Sequence, residues 1–101
     1  MPVQIKNENG VMRAAIAGDI DHHMAGGLRG EIDAAVMAEL PRTLLLDFKD
    51  VTFMDSSGIG LVMGRYRLQS EHGGELRVAN PSPQIKKVMK LAGLDRLAKI
   101  E

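Results

Sequence analysis

A nearly unbroken apolar run, Leu44-Leu45-Leu46-Asp47-Phe48, stands shortly before a helix-like pattern reaching from Leu61 to Ser70. This pair constrains the fold more than any other feature. A strand that is apolar at nearly every position is expected to be covered on both faces, as in parallel sheets flanked by helices. The joint between strand and helix is Asp55-Ser56-Ser57-Gly58-Ile59-Gly60. Two serines therefore sit where a strand ends and a helix begins. Unpaired backbone N–H groups at a helix start stabilise negative charge, so a hydroxyl there can carry a phosphate without spoiling the local structure.

The rest of the chain fits the same α/β scheme. Val3 to Lys6 alternates as a half-buried strand should. Asn9-Gly10 signals a tight turn, and Val11 to Ala17 continues with Met12, Ala14 and Ile16 on one side, so a hairpin is expected. Asp21 is placed as the N-cap of a helix whose Met24, Leu28, Ile32, Ala35, Val36 and Leu40 recur at helical spacing. Gly26, Gly27 and Gly30 each weaken that helix by roughly 1 kcal/mol relative to alanine. Pro41 closes it, and Thr43–Phe48 is the next strand. In the helix Ser57–Ser70, Ile59, Val62, Met63 and Tyr66 form one stripe, which leaves Leu61 and Leu68 surplus on the other side. Leu76–Ala79 reads as a strand. Ser82-Pro83 starts a helix with a core face of Ile85, Val88, Met89 and Ala92, and Gly93 follows it. Leu97 to Glu101 is expected to form a short strand.

The order β-β-α-β-α-β-α-β predicts a single domain over 1–101, a mixed β-sheet with an N-terminal hairpin and helices packed on the sheet. Parallel strands put their strand-to-helix junctions on one edge. Asp21, Ser56 and the Asn80–Ser82 loop are thus expected to share one end, where open α/β folds usually bind.

With 101 residues the chain has room for one modest core, and with only two phenylalanines and one tyrosine that core must be aliphatic. Thirteen lysines and arginines balance thirteen aspartates and glutamates. This argues against nucleic acid or an anionic membrane as the main partner. Cysteine is absent, which excludes disulfides, thiolate metal sites and cysteine nucleophiles. No apolar run approaches the roughly 20 residues of a membrane span. The start, Met1-Pro2-Val3-Gln4-Ile5, lacks a basic region followed by an apolar one, so no signal peptide and a cytoplasmic location are expected.

Catalytic and cofactor motifs fare poorly. No Gly-x-Ser-x-Gly elbow is present. Gly58-Ile59-Gly60 follows a strand and opens a helix, but Gly64 comes one residue too late for a dinucleotide fingerprint. His22-His23 is adjacent on a helix and so diverges. Arg65-Tyr66-Arg67 reads as an inward tyrosine with arginines reaching outward, and Lys86, Lys87 and Lys90 read as a solvated face. No enzyme activity, metal or cofactor is expected. The serine motif itself fits a plain N-cap followed by glycine. Two adjacent hydroxyls exceed the needs of one cap, however. Gly58 and Gly60 remove side chains that would hinder a partner, and Ile59 is either core or an apolar contact.

Phe53-Met54-Asp55-Ser56-Ser57-Gly58-Ile59-Gly60, continuing to Gly64-Arg65-Tyr66, closely resembles the signature of bacterial anti-sigma factor antagonists, which are single STAS domains. Gly18-Asp19-Ile20-Asp21-His22-His23, Gly73-Gly74-Glu75-Leu76 and Leu91-Ala92-Gly93-Leu94 resemble further family blocks, so the resemblance covers nearly the whole chain. The Ser-Ser pair, the Gly-Arg-Tyr and the double histidine look most like the stage II sporulation protein AA subgroup, with general-stress antagonists as the nearest alternative. The resemblance implies a partner switch. The unphosphorylated form binds an anti-sigma factor that is also a serine kinase, and so frees the sigma factor. The kinase uses ATP and magnesium to phosphorylate the first serine of the motif, Ser56 here, and a serine phosphatase reverses the step. The resemblance implies a kinase interface at Asp21 and at the motif residues Asp55, Ser57, Gly58, Ile59 and Gly60. Family members usually continue into another C-terminal helix, whereas this chain stops at Glu101, so contacts made by that helix are expected to be missing.

Overall fold

The structure, a computed structural model, describes residues 2–101; Met1, counted in the expected domain, lies outside them. The elements run β1 (Val3–Glu8), β2 (Val11–Ile20), α1 (His22–Glu39), β3 (Thr43–Met54), α2 (Ser56–Glu71), β4 (Glu75–Ala79), α3 (Pro83–Leu91), a 3-10 turn (Leu94–Arg96) and β5 (Lys99–Ile100). The five strands lie in the order β1-β2-β3-β4-β5. β1 and β2 pair antiparallel, and the other three pairings are parallel. This is the expected mixed sheet with an N-terminal hairpin. Asn9 and Gly10 both hold positive φ, 53° and 80°, as a two-residue hairpin turn requires.

One face of the sheet carries the core. Met12, Ala14 and Ile16 of β2, Leu44, Leu46 and Phe48 of β3, and Leu76 and Val78 of β4 are buried there. Leu28, Ile32 and Val36 of α1, Leu61 and Val62 of α2, and Ile85 and Met89 of α3 join the same core. The expectation that β3 is covered on both faces is therefore wrong. Its other face points to solvent with Arg13 and Arg77, leaving Leu45 half-buried. Asp47 is the exception on that face, only 5% exposed. It accepts hydrogen bonds from the Arg13 guanidinium, the Lys49 backbone N–H (3.0 Å) and Asn80 Nδ2 (3.1 Å).

Burial pushes the Asp47 carboxyl up, but the bonds from Asn80, Lys49 and Arg13, with the Arg13 charge, outweigh it and hold it below the ordinary value. A depressed carboxylate contributes stability above its unfolded value of about 3.9, and that contribution disappears as pH falls through the folded value. Thermal melts taken from pH 5 downward should therefore fall less steeply for Asp47→Asn than for the wild type. Parallel curves would show that Asp47 does not contribute to the acid response.

Three further expectations change. Both central strands are longer than their sequence suggests. β2 runs on to Ile20, and β3 runs on through Lys49–Met54, because the two extensions pair with each other. Register shifts between Ala15 and Ala17 and between Gly18 and Asp19 mark irregularities there, and Gly18 supplies positive φ (89°) at the second. The buried face of α2 is centred on Gly58, Leu61, Val62, Arg65 and Gln69, with Ile59, Met63, Tyr66 and Leu68 half-buried at its margins. Leu61 is thus core, not surplus, because α2 packs against α1 as well as the sheet. On α3, Val88 and Ala92 lie outside the core, and Leu91 is 80% exposed. The caps of α3 are as expected: Ser82 Oγ accepts from the Ile85 N–H at 3.2 Å, Pro83 is the first helical residue, and Gly93 follows with φ 81°.

Candidate partner-binding site

Two helix starts meet at one edge of the sheet. The Asp55 N–H donates to Ile20 O at 3.1 Å, which ties the end of β3 to the end of β2. One residue beyond Ile20, Asp21 caps α1, its Oδ1 accepting from the His23 and Met24 N–H groups at 3.0 Å each. Asp55 caps α2, accepting from the Ser57 N–H at 2.8 Å and from the Ser57 hydroxyl. The expected neighbourhood of Asp21 and the serine motif is therefore real. It follows from parallel β2 and β3, each feeding directly into a helix. The Asn80–Ser82 loop, expected at the same end, does not join it: Ala79 pairs with Asp47 and Asn80 bonds to Asp47, well before β3 ends at Met54.

The electrostatics of the edge agree. The Ser57 hydroxyl, and after it the Ser57 backbone N–H, holds the Asp55 carboxyl below its ordinary value against desolvation. His22 acts in the same direction, and this first residue of α1 lines one cavity with Ser57. An anionic Asp55 thus anchors the turn.

The two serines differ sharply. Ser57 is half-buried and its hydroxyl is engaged by Asp55. Ser56, the first residue of α2, is exposed, and no hydrogen bond of its side chain to another described residue is present. Its hydroxyl is the one open to a second reactant.

The glycines differ as well. Gly58 is buried, and a Cβ there would lie 2.1 Å from Met54 Cγ and 2.6 Å from Met54 Sδ. Its lack of a side chain answers the strand beneath it. Gly60 is exposed, and a Cβ there would meet nothing within 4 Å. Ile59 is half-buried against the core.

Two residues of this region were misread or missed in the sequence. Arg65 turns inward, 5% exposed, against the expectation of an outward arginine. It is held there by Asp33 of α1, with Nε 2.8 Å from Oδ1 and Nη2 3.3 Å from Oδ2. Phe53, two residues before the cap, is 52% exposed beside Asp19 of β2. In a chain with so few aromatics, an exposed one next to a candidate site is the available signal. Among the described residues no group of histidine, aspartate and glutamate is placed to hold a metal ion, and no helix is long and apolar enough to cross a membrane.

Comparison with known proteins gives one family. The STAS domain family matches residues 2–101. The chain is 30% identical to an anti-sigma F factor antagonist of Paenibacillus polymyxa, over 99% of this chain and 86% of that one. It is 32% identical to an anti-sigma-B factor antagonist of Bacillus subtilis (strain 168), over 91% and 83%. Its fold is similar to that of the anti-sigma factor antagonist SpoIIAA in its unphosphorylated form, with a TM-score of 0.84 and 31% identity over 98% of this chain and 87% of that one. The phosphorylated form of the Bacillus cell fate determinant SpoIIAA matches with a TM-score of 0.77 and 31% identity, over 98% and 90%. With a five-stranded mixed sheet, helices gathered on one face and a match over the full described length, this chain belongs to the STAS domain family.

Proposed function

We propose that this protein is an anti-sigma factor antagonist, a regulator without catalytic activity of its own that acts in the cytoplasm. Its unphosphorylated form binds an anti-sigma factor serine kinase and releases the sigma factor, and phosphorylation of Ser56 ends that binding. A serine phosphatase restores the active form. The observation that carries this reading is the division between the serines: Ser57 is engaged by the cap, while Ser56 presents a free hydroxyl at the positive end of α2. The likeness to SpoIIAA, known in both unphosphorylated and phosphorylated forms, supports it. The likeness to the anti-sigma-B factor antagonist favours a general-stress pathway as the second reading, with the same chemistry at Ser56.

A phosphate adds roughly −1.5 to −2 charge. The helix start tolerates it, so the fold stays intact. A kinase that transfers phosphate to Ser56 must hold its nucleotide phosphates against that hydroxyl. The modified serine then meets like charge in the same place, and contact is lost through repulsion and bulk. Incubation with an anti-sigma factor kinase, magnesium and labelled ATP tests the assignment. Label should appear on Ser56; label on Ser57 alone, or none, contradicts it.

Asp21 enters the interface as the carboxylate nearest the junction on α1. Because it also caps that helix, Asp21→Ala mixes two effects, the lost cap alone costing about 1 kcal/mol. Asp21→Asn keeps a capping oxygen and removes the charge. This variant should melt like the wild type and bind the kinase more weakly in a titration. An unchanged affinity would exclude the Asp21 charge from the interface.

A further inference from the structure

A groove of about 670 Å³ runs between α1 and α2, from His22 and Ser57 at one end to Glu71 at the other. Gly26, Gly60 and Gly64 line it. All three lie inside helices, where glycine is a poor former. The fold does not require them: a Cβ at each position would meet no heavy atom within 4 Å, and none has a positive φ. Gly58 and Gly74 are different, since a Cβ there would collide with Met54 or Gln69. Gly27 and Gly30 of α1 are equally unconstrained but lie outside the groove; along the groove itself, missing Cβ atoms allow another backbone to come close.

The second observation is Arg65, which lines the same groove. Asp33 accepts a hydrogen bond from its Nη2 and stands at ion-pair distance from its Nε, while buried Nε and Nη1 have no hydrogen-bond partner among the described residues. A buried donor left unpaired is costly. Arg29 and Arg67 also line the groove, so three arginines face two carboxylates, Asp33 and Glu71. The groove keeps an excess of positive charge.

We infer that this groove seats a helix of the kinase partner, its backbone admitted by Gly26, Gly60 and Gly64 and one of its carboxylates taken by Arg65 with Arg29 and Arg67. In helix-in-groove docking a helix lays one face into a trough; here Ala25, Leu61 and Leu68 offer the apolar contact, and complementary charge favours the right partner. The inference rests on the function proposed above, because Ser57 joins the groove to the Ser56 junction. It adds a contact surface that the phosphate itself does not touch.

The test is a Gly60→Ala/Gly64→Ala double variant, measured by thermal melting and by calorimetric titration with an anti-sigma factor kinase. Alanine fits both positions, so the variant should melt several degrees higher than the wild type. Its affinity should nevertheless fall by about tenfold or more as the partner's backbone is held off. Arg67→Ala should weaken binding and flatten its dependence on salt. A double variant that melts higher, is phosphorylated on Ser56 and binds as tightly as the wild type overturns the groove while the proposed function stands. A lower melting temperature overturns the premise that the fold can do without these glycines. Concentration-dependent self-association through the groove would assign it to a second copy and overturn the kinase helix. A wild-type protein that neither binds the kinase nor accepts phosphate removes the proposed function, and the inference with it.

Discussion

Replacing Ser56 with alanine should abolish phosphate transfer from an anti-sigma factor kinase while leaving the affinity for that kinase within a few-fold of wild type. The hydroxyl of Ser56 has no structural duty that alanine fails to meet. It is exposed at the first position of α2, and the cap is made by Asp55 with Ser57. Alanine is also a good helix former, so the melting temperature should hardly move. Ser57→Ala provides the contrast. It removes the hydroxyl bonded to Asp55, so the turn should loosen while Ser56 still accepts phosphate. The readouts are label incorporation mapped by residue, together with a titration of each variant. Full incorporation in Ser56→Ala would place the acceptor elsewhere.

The second large effect is on stability. Gly58→Ala should cost about 1–3 kcal/mol, the usual penalty for overfilling a packed site. For a domain of this size that lowers the melting temperature by about 5–20 °C. The new Cβ would stand 2.1 Å from Met54 Cγ and 3.4 Å from Ile20 Cγ2. Met54 must swing away, or the start of α2 must lift from the ends of β2 and β3. Lifting α2 would carry the Asp55–Ser57 turn with it, so phosphorylation should slow as well. A differential-scanning melt of Gly58→Ala is the check, and a wild-type melting temperature would show that Met54 yields freely.

Gly58 and Gly60 show where sequence reading stops. They are two residues apart in one motif, and the local pattern offered the same explanation for both. The structure separates them by what lies underneath, Met54 below one and open space at the other. Such information is carried by packing between elements and is absent from the motif. Arg65 fails to be read for the same reason. Its inward turn is set by Asp33, 32 residues away on α1, and a single-helix pattern places an arginine outside. The extra length of β2 and β3 is likewise a pairing effect, since Lys49, Asp50 and Thr52 interrupt the apolar pattern and resemble a loop until β2 lies beside them. Features with local causes were legible: the Asn9-Gly10 turn, the caps at Asp21 and Ser82, and the glycine after α3. The meeting of Asp21 with the serine motif was legible too, because parallel neighbours β2 and β3 each feed a helix. The Asn80–Ser82 loop, in contrast, falls short of that edge because β3 runs on past Asp47, its partner level.

The proposed switch comes down to one number, the ratio of affinities of the two forms for the kinase. Homogeneous protein phosphorylated on Ser56 and its unmodified counterpart should be titrated against the same anti-sigma factor kinase in the presence of nucleotide. The phosphorylated form should bind about 100- to 1000-fold more weakly, a difference of about 2.7–4 kcal/mol, with both forms giving the same folded spectrum. Equal affinities of the two forms would contradict a switch at Ser56.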